Sequence, residues 1–318
     1  MRRRYRISRR EMTGTGHTGK RRRRKGTVAE WFRLTRPFSL TASAVPVLLG
    51  GALAHEDGSF SWGPFAAMLL ASILIQAATN MFNEFYDERR GLDTAEAVGI
   101  AGSIVHGRVG ARAVLLGALA CYTAALFLGL YLVYVGGWPI LVLGCLSALG
   151  GYVYSAGPRP IAYTALSEAA VFLFMGVLIV VISYAVQTAS SFPAHVALAA
   201  LPIGGLVAAI LLANNIRDLD SDRRGGRRTL PIVLGRRGGI LVYRGLLAEA
   251  YLSALALILA GVVPAACLVA LLSLPLARPL WRGIASSTEP ARLDAVVKRT
   301  AGLHLIFGVL YSLGVLLG

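Results

Sequence analysis

Residues 66–93 read AAMLLASILIQAATNMFNEFYDERRGLD, an apolar run followed by a segment rich in Asn, Glu and Asp. On a helix, Asn80, Asn83, Glu84 and Asp87 are spaced i, i+3, i+4 and i+7 and share one face. Membrane helices more commonly end in an aromatic residue or a lysine, whereas this one ends in oxygen-bearing side chains. The stretch therefore predicts a membrane-spanning helix that carries a polar cluster to the membrane boundary.

The composition of the whole chain also indicates a membrane protein. Of its 318 residues, 56% are hydrophobic and 15% charged, whereas a soluble domain has about 25% charged residues. A hydrocarbon core about 30 Å thick requires about 20 apolar residues per helix. Segments of that length are 37–55, 63–84, 112–135, 138–155, 163–186, 195–216, 240–260, 262–281 and 300–318. We therefore predict an all-α integral membrane protein, with about nine transmembrane helices in a bundle around a central cavity.

The positive charges are confined to alternate connections between these spans. All 32 Lys and Arg residues lie in segments 1–36, 87–112, 155–162, 217–244 and 278–299. Because cytoplasmic loops are enriched in Lys and Arg, we predict a cytoplasmic N-terminus and a C-terminus outside, in the cytoplasmic membrane of the cell. The same distribution explains the net charge of +16 without nucleic acid as a partner. Residues 1–30 are predicted to be a disordered basic arm against anionic membrane lipid, and residues 31–318 a single polytopic domain.

A second polar cluster ends the sixth predicted span, in ILLANNIRDLDSDRRGGRRTL (210–230). Asn214, Asp218 and Asp222 are spaced i, i+4 and i+8 on one helical face, with Asn215 beside them. The predicted topology places both clusters at the cytoplasmic membrane boundary.

Carboxylate and amide oxygens at that boundary suit Mg²⁺, which binds one or two carboxylates together with substrate phosphates. Two facing clusters could hold a pair of Mg²⁺ ions with a diphosphate between them. Nearby arginines could neutralise the remaining phosphate oxygens; these are Arg159, Arg223, Arg224, Arg227 and Arg228. The alternative is that the acidic residues are solvated loop charges paired with these arginines.

The two motifs resemble a known family. The pattern NxxNExxDxxxGxD, from Asn80 to Asp93, and NNIRDLDSDRRGGRRTLPIVLGR (214–236) resemble those of the UbiA superfamily of membrane-embedded aromatic prenyltransferases. Within it they are most similar to the branch that prenylates 1,4-dihydroxy-2-naphthoate for menaquinone. Supporting stretches are RPFSLTASAVPVLLG (36–50), DTAEAVGIAGSIVHGR (93–108) and YSAGPRPIAYTALSE (154–168). The resemblance covers residues 31–318.

The sequence also departs from the pattern of that family. Glu84 stands where the superfamily usually has Asp. Gly91 stands four residues after Asp87, where the 4-hydroxybenzoate enzymes have Asp, and this favours the naphthoate branch. In the stretch 154–168, small glycines are more usual at three positions that are here Ala156, Ala165 and Ser167.

The resemblance implies Mg²⁺-dependent transfer of a polyprenyl group from polyprenyl diphosphate to 1,4-dihydroxy-2-naphthoate, with decarboxylation to demethylmenaquinol. The implied catalytic metal ligands are Asn83, Asp87, Asp218 and Asp222, with Glu84 and Asn215 as further metal ligands. The implied substrate-binding residues are Asn80, Arg159, Arg228, Tyr154 and Tyr163. Of these, Arg159 and Arg228 are the candidates for the diphosphate, and Tyr154 and Tyr163 for shielding the allylic carbocation; Asn80 is also a second choice as a metal ligand. Anchoring at the membrane interface is the alternative role for the two tyrosines.

Other functions fit less of the pattern. Within the superfamily, 4-hydroxybenzoate, haem and chlorophyll precursors remain alternative acceptors. A cation-coupled transporter also places acidic residues in its spans, but near the membrane midplane, whereas both clusters here are at span ends. The CDP-alcohol phosphatidyltransferases are Mg²⁺-dependent membrane enzymes as well, but their DGxxAR stretch does not occur in this sequence. No obligate protein partner is evident.

Overall fold

The computed structural model of the protein describes residues 26–89, 102–155, 160–189 and 191–318, which form helices and contain no strand. In chain order the helices are α1 (Val28–Leu34), α2 (Thr41–Glu56), α3 (Trp62–Arg89), α4 (Ala111–Gly136), α5 (Trp138–Ser155), α6 (Ser167–Ala185), α7 (Ala194–Arg217), α8 (Leu219–Arg224), α9 (Leu230–Val233), α10 (Gly235–Leu259), α11 (Ala265–Ser286) and α12 (Pro290–Leu316). Short 3-10 turns, Pro37–Leu40 and Ile161–Tyr163, precede α2 and α6. The first half of α11, Ala265–Ser273, is also 3-10.

The described residues include eight helices that are long and apolar enough to cross a membrane. These are α2 with its preceding turn, α3, α4, α6, α7, α10, α11 and α12. The shorter apolar helix α5 occupies the position of the fourth predicted span. The all-α membrane class is therefore confirmed, and a helix lies at each of the nine predicted positions. The central cavity and the direction of the chain across the membrane stay predictions.

Four spans, α3, α10, α11 and α12, extend at least five residues beyond their predicted limits, and two of these extensions carry acidic residues. Helix α3 continues to Arg89, past the predicted end at residue 84, and α12 begins at Pro290 rather than near residue 300. In both cases the added turns carry charged side chains, which a hydropathy pattern does not count as part of a span. The added turns matter because they hold Asp87 and Asp294.

The interior of the bundle is formed by α2, α7 and α12. Helix α7 is the most deeply buried span and α4 the most exposed. Glycines allow close contacts between backbones, as is usual for membrane helices: a Cβ added at Gly176 of α6 would lie 2.2 Å from the Cα of Gly204 on α7. Similarly, a Cβ at Gly308 of α12 would lie 2.1 Å from Val45 of α2. The first contact packs α6 closely against α7, and the second packs α12 closely against α2.

Hydrogen bonds connect the predicted basic segments at one end of the bundle. Arg236 donates to the carbonyl of Ile216 (3.3 Å) and to that of Ser287 (2.6 Å). The N–H of Arg228 donates to the carbonyl of Tyr163 (2.7 Å). At the other end, Tyr184 donates to Asp57 and the N–H of Ser61 donates to Gln187 (2.7 Å), so two of the connections without Lys or Arg meet there. These contacts agree with the separation that the charge pattern predicts.

The boundary between the N-terminal arm and the helical domain differs from the predicted one at residue 30. Residues 28–30, predicted to belong to the disordered arm, form the first turn of α1, whose N-cap Thr27 accepts a hydrogen bond from the N–H of Glu30 (3.3 Å). Glu30 in turn accepts a hydrogen bond from Ser103 (3.1 Å) and lies 3.7 Å from Arg108. The sequence TVAE supplies this cap because Thr and Glu occupy the N-cap and third helical positions. Residues 1–25 lie outside the described part of the chain.

Candidate active site

Asn80, in the first motif, has a structural role. It is buried in α3, and its amide donates to the carbonyl of Thr35 (2.7 Å) and to the hydroxyl of Ser39 (2.8 Å). These bonds fix the segment before α2 to α3. Both amide protons are thus used within the protein, which is a different role from the predicted binding of substrate or metal.

Glu84 is committed to the loop that precedes α4. Its side chain is 1% exposed, and its two oxygens accept hydrogen bonds from the N–H groups of Gly102 (3.2 Å), Ser103 (2.5 Å) and Ile104 (3.2 Å). A buried carboxylate is costly unless it is hydrogen-bonded, and the loop backbone supplies these bonds. These bonds commit both oxygens of Glu84 to anchoring the loop, so its predicted role as a metal ligand has no support from the geometry.

We expect replacement of Glu84 to affect stability more than metal binding. Glu84→Gln puts an amide NH₂ group against backbone donors, and leaving a buried donor unsatisfied costs about 1–3 kcal/mol. Thermal unfolding of the purified protein should show the loss. Glu88→Gln, four residues further along α3 and only half-buried, should leave the unfolding temperature unchanged. If Glu84→Gln instead kept full stability and lost Mg²⁺ affinity, the original assignment as a ligand would be restored.

Asn83 and Asp87 form the half-buried part of the same helix end. Asp87 lies near Arg227, which belongs to the loop between α8 and α9. Burial lowers the pKa of Arg227, but Asp222, Tyr163 and Asp87 together raise it above its usual value. Since Arg227 interacts with carboxylates from both motifs, the ends of α3 and α7 meet at one end of the bundle.

The second motif begins with a buried network around Arg217. Its guanidinium donates two hydrogen bonds to Asp218, from Nε (2.8 Å) and Nη2 (2.6 Å), and a third from Nη1 to Asp294 of α12 (2.8 Å). Lys298 lies 2.7 Å from the other oxygen of Asp294. The bidentate pairing fixes the orientation of Asp218 and connects the end of α7 to the start of α12.

Asp222 is the most enclosed acid of the second motif. It is 6% exposed, and its Oδ1 lies 3.0 Å from Nη1 of Arg227. Its Oδ2 is buried and has no hydrogen-bond partner among the described residues. Burial raises the pKa of Asp222 to about 6, although Arg227 opposes the shift. A buried carboxylate oxygen without a partner is the kind of group that a bound cation satisfies.

The side chain of Arg227, rather than that of Arg228, lies within the candidate site. Its guanidinium is 4.6 Å from the centre of the Tyr163 ring and bonded to Asp222. The side chain of Arg228 is exposed, whereas its backbone holds Tyr163 in place. A loop has no periodicity that distinguishes two adjacent arginines, so the sequence does not reveal which side chain lies inside the site, and the binding of diphosphate by Arg228 stays a prediction.

A third group of polar residues lies at the start of α6. The amide of Asn215 donates to Oε1 of Glu168 (2.8 Å), and the hydroxyl of Ser167 donates to Oε2 (2.9 Å). Tyr154 lies close enough to interact electrostatically with both Glu168 and Arg227. The side-chain oxygen of Asn215 is not used in these hydrogen bonds and is therefore available as a ligand. Tyr154 lies beside the same group of polar residues as Arg227. The sequence prediction gave no role to Glu168, although an acid inside an apolar span is a sufficient reason to look for one.

The predicted site residues fit Mg²⁺ in an open site rather than a closed protein cage. Among the described residues, no group of three His, Cys, Asp and Glu side chains could hold one ion. That result agrees with Mg²⁺ chemistry, in which one or two carboxylates, waters and substrate phosphates complete the coordination. The unpartnered Oδ2 of Asp222 and the half-buried Asp87 provide such carboxylates. Arg159 and Asp93 lie outside the described residues, so their roles stay predictions.

Comparison with known sequences identifies the family. The profile described as the UbiA prenyltransferase family matches residues 43–312. The chain belongs to the UbiA prenyltransferase family. The resemblance noted from the two motifs is thereby confirmed.

Two curated relatives match this UbiA family chain over almost all of its length. One is 1,4-dihydroxy-2-naphthoate octaprenyltransferase of Bacillus subtilis, which is 39% identical over 96% of this chain and 97% of the relative. The protein with the same description from Haemophilus influenzae is 28% identical over 91% of this chain and 96% of the relative. Among solved structures, the fold is similar to a UbiA homolog from Archaeoglobus fulgidus bound to GPP and Mg²⁺, with a TM-score of 0.61 and 18% identity over 91% of this chain and 100% of that one.

Proposed function

We propose that this protein transfers a polyprenyl group from polyprenyl diphosphate to 1,4-dihydroxy-2-naphthoate, with loss of CO₂, to give demethylmenaquinol in menaquinone biosynthesis. The observation that carries the proposal is the 39% identity, over nearly the full length of both chains, to a protein described as 1,4-dihydroxy-2-naphthoate octaprenyltransferase. The meeting of Asp87, Asp222 and Arg227 at one end of the bundle supports it, because a diphosphate requires both cation ligands and a guanidinium.

The residues of the site suit the breaking of an allylic carbon–oxygen bond. The bond between the prenyl C1 and the diphosphate breaks with its electron pair leaving on oxygen, and the charge on that oxygen must be stabilised. Arg227 is placed to donate hydrogen bonds to the leaving group. A pair of Mg²⁺ ions, held by Asp87 and Asn83 on one side and Asp218 and Asp222 on the other, would supply further positive charge. The corresponding solved relative is described as bound to GPP and Mg²⁺.

The acceptor then completes the reaction. An electron-rich ring carbon of the naphthoate attacks the allylic cation, and loss of the carboxylate as CO₂ restores the aromatic ring. We infer that Tyr163, whose ring packs on Arg227, and Tyr154, which interacts with Arg227 and Glu168, shield the cation through their ring faces. The basic segments at this end of the bundle favour a site that faces the cytoplasm, in the cytoplasmic membrane.

The acceptor can be tested directly in membranes that contain the full chain. We expect labelled polyprenyl diphosphate to give a prenylated naphthoquinol, with release of label from carboxyl-labelled 1,4-dihydroxy-2-naphthoate. Chelation with EDTA should stop the reaction and added Mg²⁺ should restore it. Transfer to 4-hydroxybenzoate but not to the naphthoate would overturn the proposed acceptor. Release of diphosphate without transfer to any aromatic acceptor would overturn the reaction itself.

A further inference from the structure

Helix α11 carries an open groove outside the site described above. The groove has a volume of about 410 Å³ and is lined by Arg278, Pro279, Arg282, Gly283 and Ser286. Arg278, Arg282 and Ser286 are spaced i, i+4 and i+8, so they follow one face of the helix. The groove is therefore a basic surface on the outside of the bundle.

The two arginines of the groove are unpaired. Both are exposed, and neither forms an ion pair within the described part of the chain. Other cations nearby do have partners: Arg292 lies 2.8 Å from Glu289, and Lys298 lies 2.7 Å from Asp294. The two guanidinium groups consequently provide an uncompensated double positive charge.

The position of the groove along the helix matches the level of lipid phosphates. With rises of about 2.0 Å per residue in the 3-10 half and about 1.5 Å in the rest, Arg282 lies about 30 Å along α11 from Ala265. The hydrocarbon core of a bilayer is also about 30 Å thick. If Ala265 lies at one boundary of the core, Arg282 lies at the other, on the side where Arg236 joins α7 to Ser287.

The surroundings of the groove are typical of a membrane interface. Trp281 is 42% exposed, and its carbonyl accepts a hydrogen bond from Nε of Arg244 (2.9 Å), whose guanidinium lies 5.4 Å from the Trp281 ring. Tryptophan is enriched at the level of lipid headgroups. Toward the other end of α11, Leu272 and Leu276 are exposed and would contact acyl chains.

We propose that this groove binds the headgroup of an anionic phospholipid. Arg278 and Arg282 clamp the phosphate diester through charge-assisted hydrogen bonds. Ser286 donates its own proton to the carbonyl of Gly283 (2.9 Å), so its oxygen is free to accept one from a glycerol headgroup. A zwitterionic lipid fits less well, since its quaternary ammonium brings a positive charge to a positive surface.

The proposal can be tested with the full-length protein, delipidated in a neutral detergent. Phosphatidylglycerol is expected to raise the unfolding temperature in a saturable way, whereas phosphatidylcholine with the same acyl chains and inorganic phosphate are not. The double variant Arg278→Gln/Arg282→Gln should require at least five times more phosphatidylglycerol for half-saturation. The control Arg237→Gln/Arg299→Gln removes the same charge from exposed positions outside the groove and should stay within twofold of the wild type.

Four outcomes would overturn the proposal. An equal loss of affinity for phosphatidylglycerol in both double variants would show diffuse attraction to a basic surface rather than a binding site. An equal rise in unfolding temperature with phosphatidylcholine would show that headgroup charge does not decide binding. A rise with inorganic phosphate would indicate a site for free anions. If the groove variant is less stable before lipid is added, native mass spectrometry can count the bound lipids directly. Retention of phosphatidylglycerol by that variant would then contradict the assignment.

Discussion

Asp222→Asn should lower the rate of prenyl transfer by about 10²–10³-fold, the range found when one group that stabilises developing charge is removed. The substitution keeps the shape of the side chain but removes the charge from the buried, unpartnered oxygen of the second motif. Its fold should survive, because burial already raises the pKa of Asp222 to about 6 and so favours the neutral side chain. The loss should be measured as initial rates with labelled polyprenyl diphosphate over a range of Mg²⁺ concentrations.

Asp220→Asn is the matched control for this prediction. Asp220 lies two residues earlier in α8, carries the same charge and is exposed. We expect its variant to retain the wild-type rate within twofold. Equal losses in both variants would show a general effect of negative charge near the membrane surface. A rate above a tenth of the wild type in Asp222→Asn would exclude Asp222 as a ligand that the reaction requires.

Arg227→Gln should have the second largest effect, a loss of about 10²-fold in kcat/KM for the polyprenyl diphosphate. Arg227 is the cation that lies between the carboxylates of both motifs and packs on Tyr163. Gln keeps much of the length of the side chain and one donor group. The variant therefore tests the positive charge and the several N–H donors of the planar guanidinium rather than packing. The measurement is steady-state transfer with the acceptor at saturation, so that changes in KM refer to the diphosphate.

The neighbouring residue supplies the control for Arg227. Arg228→Gln removes the same charge from an exposed side chain and leaves its backbone bond to Tyr163 intact. We expect kcat/KM for the polyprenyl diphosphate to change less than fivefold in this variant. The opposite ranking, with the larger loss at Arg228, would favour the assignment made from the sequence and contradict the one made from the structure.

The sequence predicted the helices well because their signal is local. Spans of about 20 apolar residues and the alternation of basic connections are properties of consecutive residues. The limits of α3 and α12 were predicted less well, since both helices continue through charged turns that a hydropathy pattern leaves out.

The roles within the first motif could not be predicted in the same way. The spacing places Asn80, Asn83, Glu84 and Asp87 on one face, but it does not say which of them meet partners from distant segments. Asn80 meets Thr35, and Glu84 meets the loop at 102–104, so both are used to build the site. Asn83 and Asp87 lie on the same helical face, but their side chains are only half-buried and so are nearer the open side of the site. Such assignments depend on contacts between residues far apart in the chain, which a single sequence does not reveal.

The position of Arg227 has a consequence for how the protein is made. Without an internal cation, the acids from the ends of α3 and α7 would repel one another at the membrane boundary, and assembly of the bundle would have to wait for a divalent ion. Arg227 supplies that cation from within the chain. With the proposed Mg²⁺ site, the bundle would therefore be able to assemble before the ion binds, and magnesium would be needed for turnover rather than for folding.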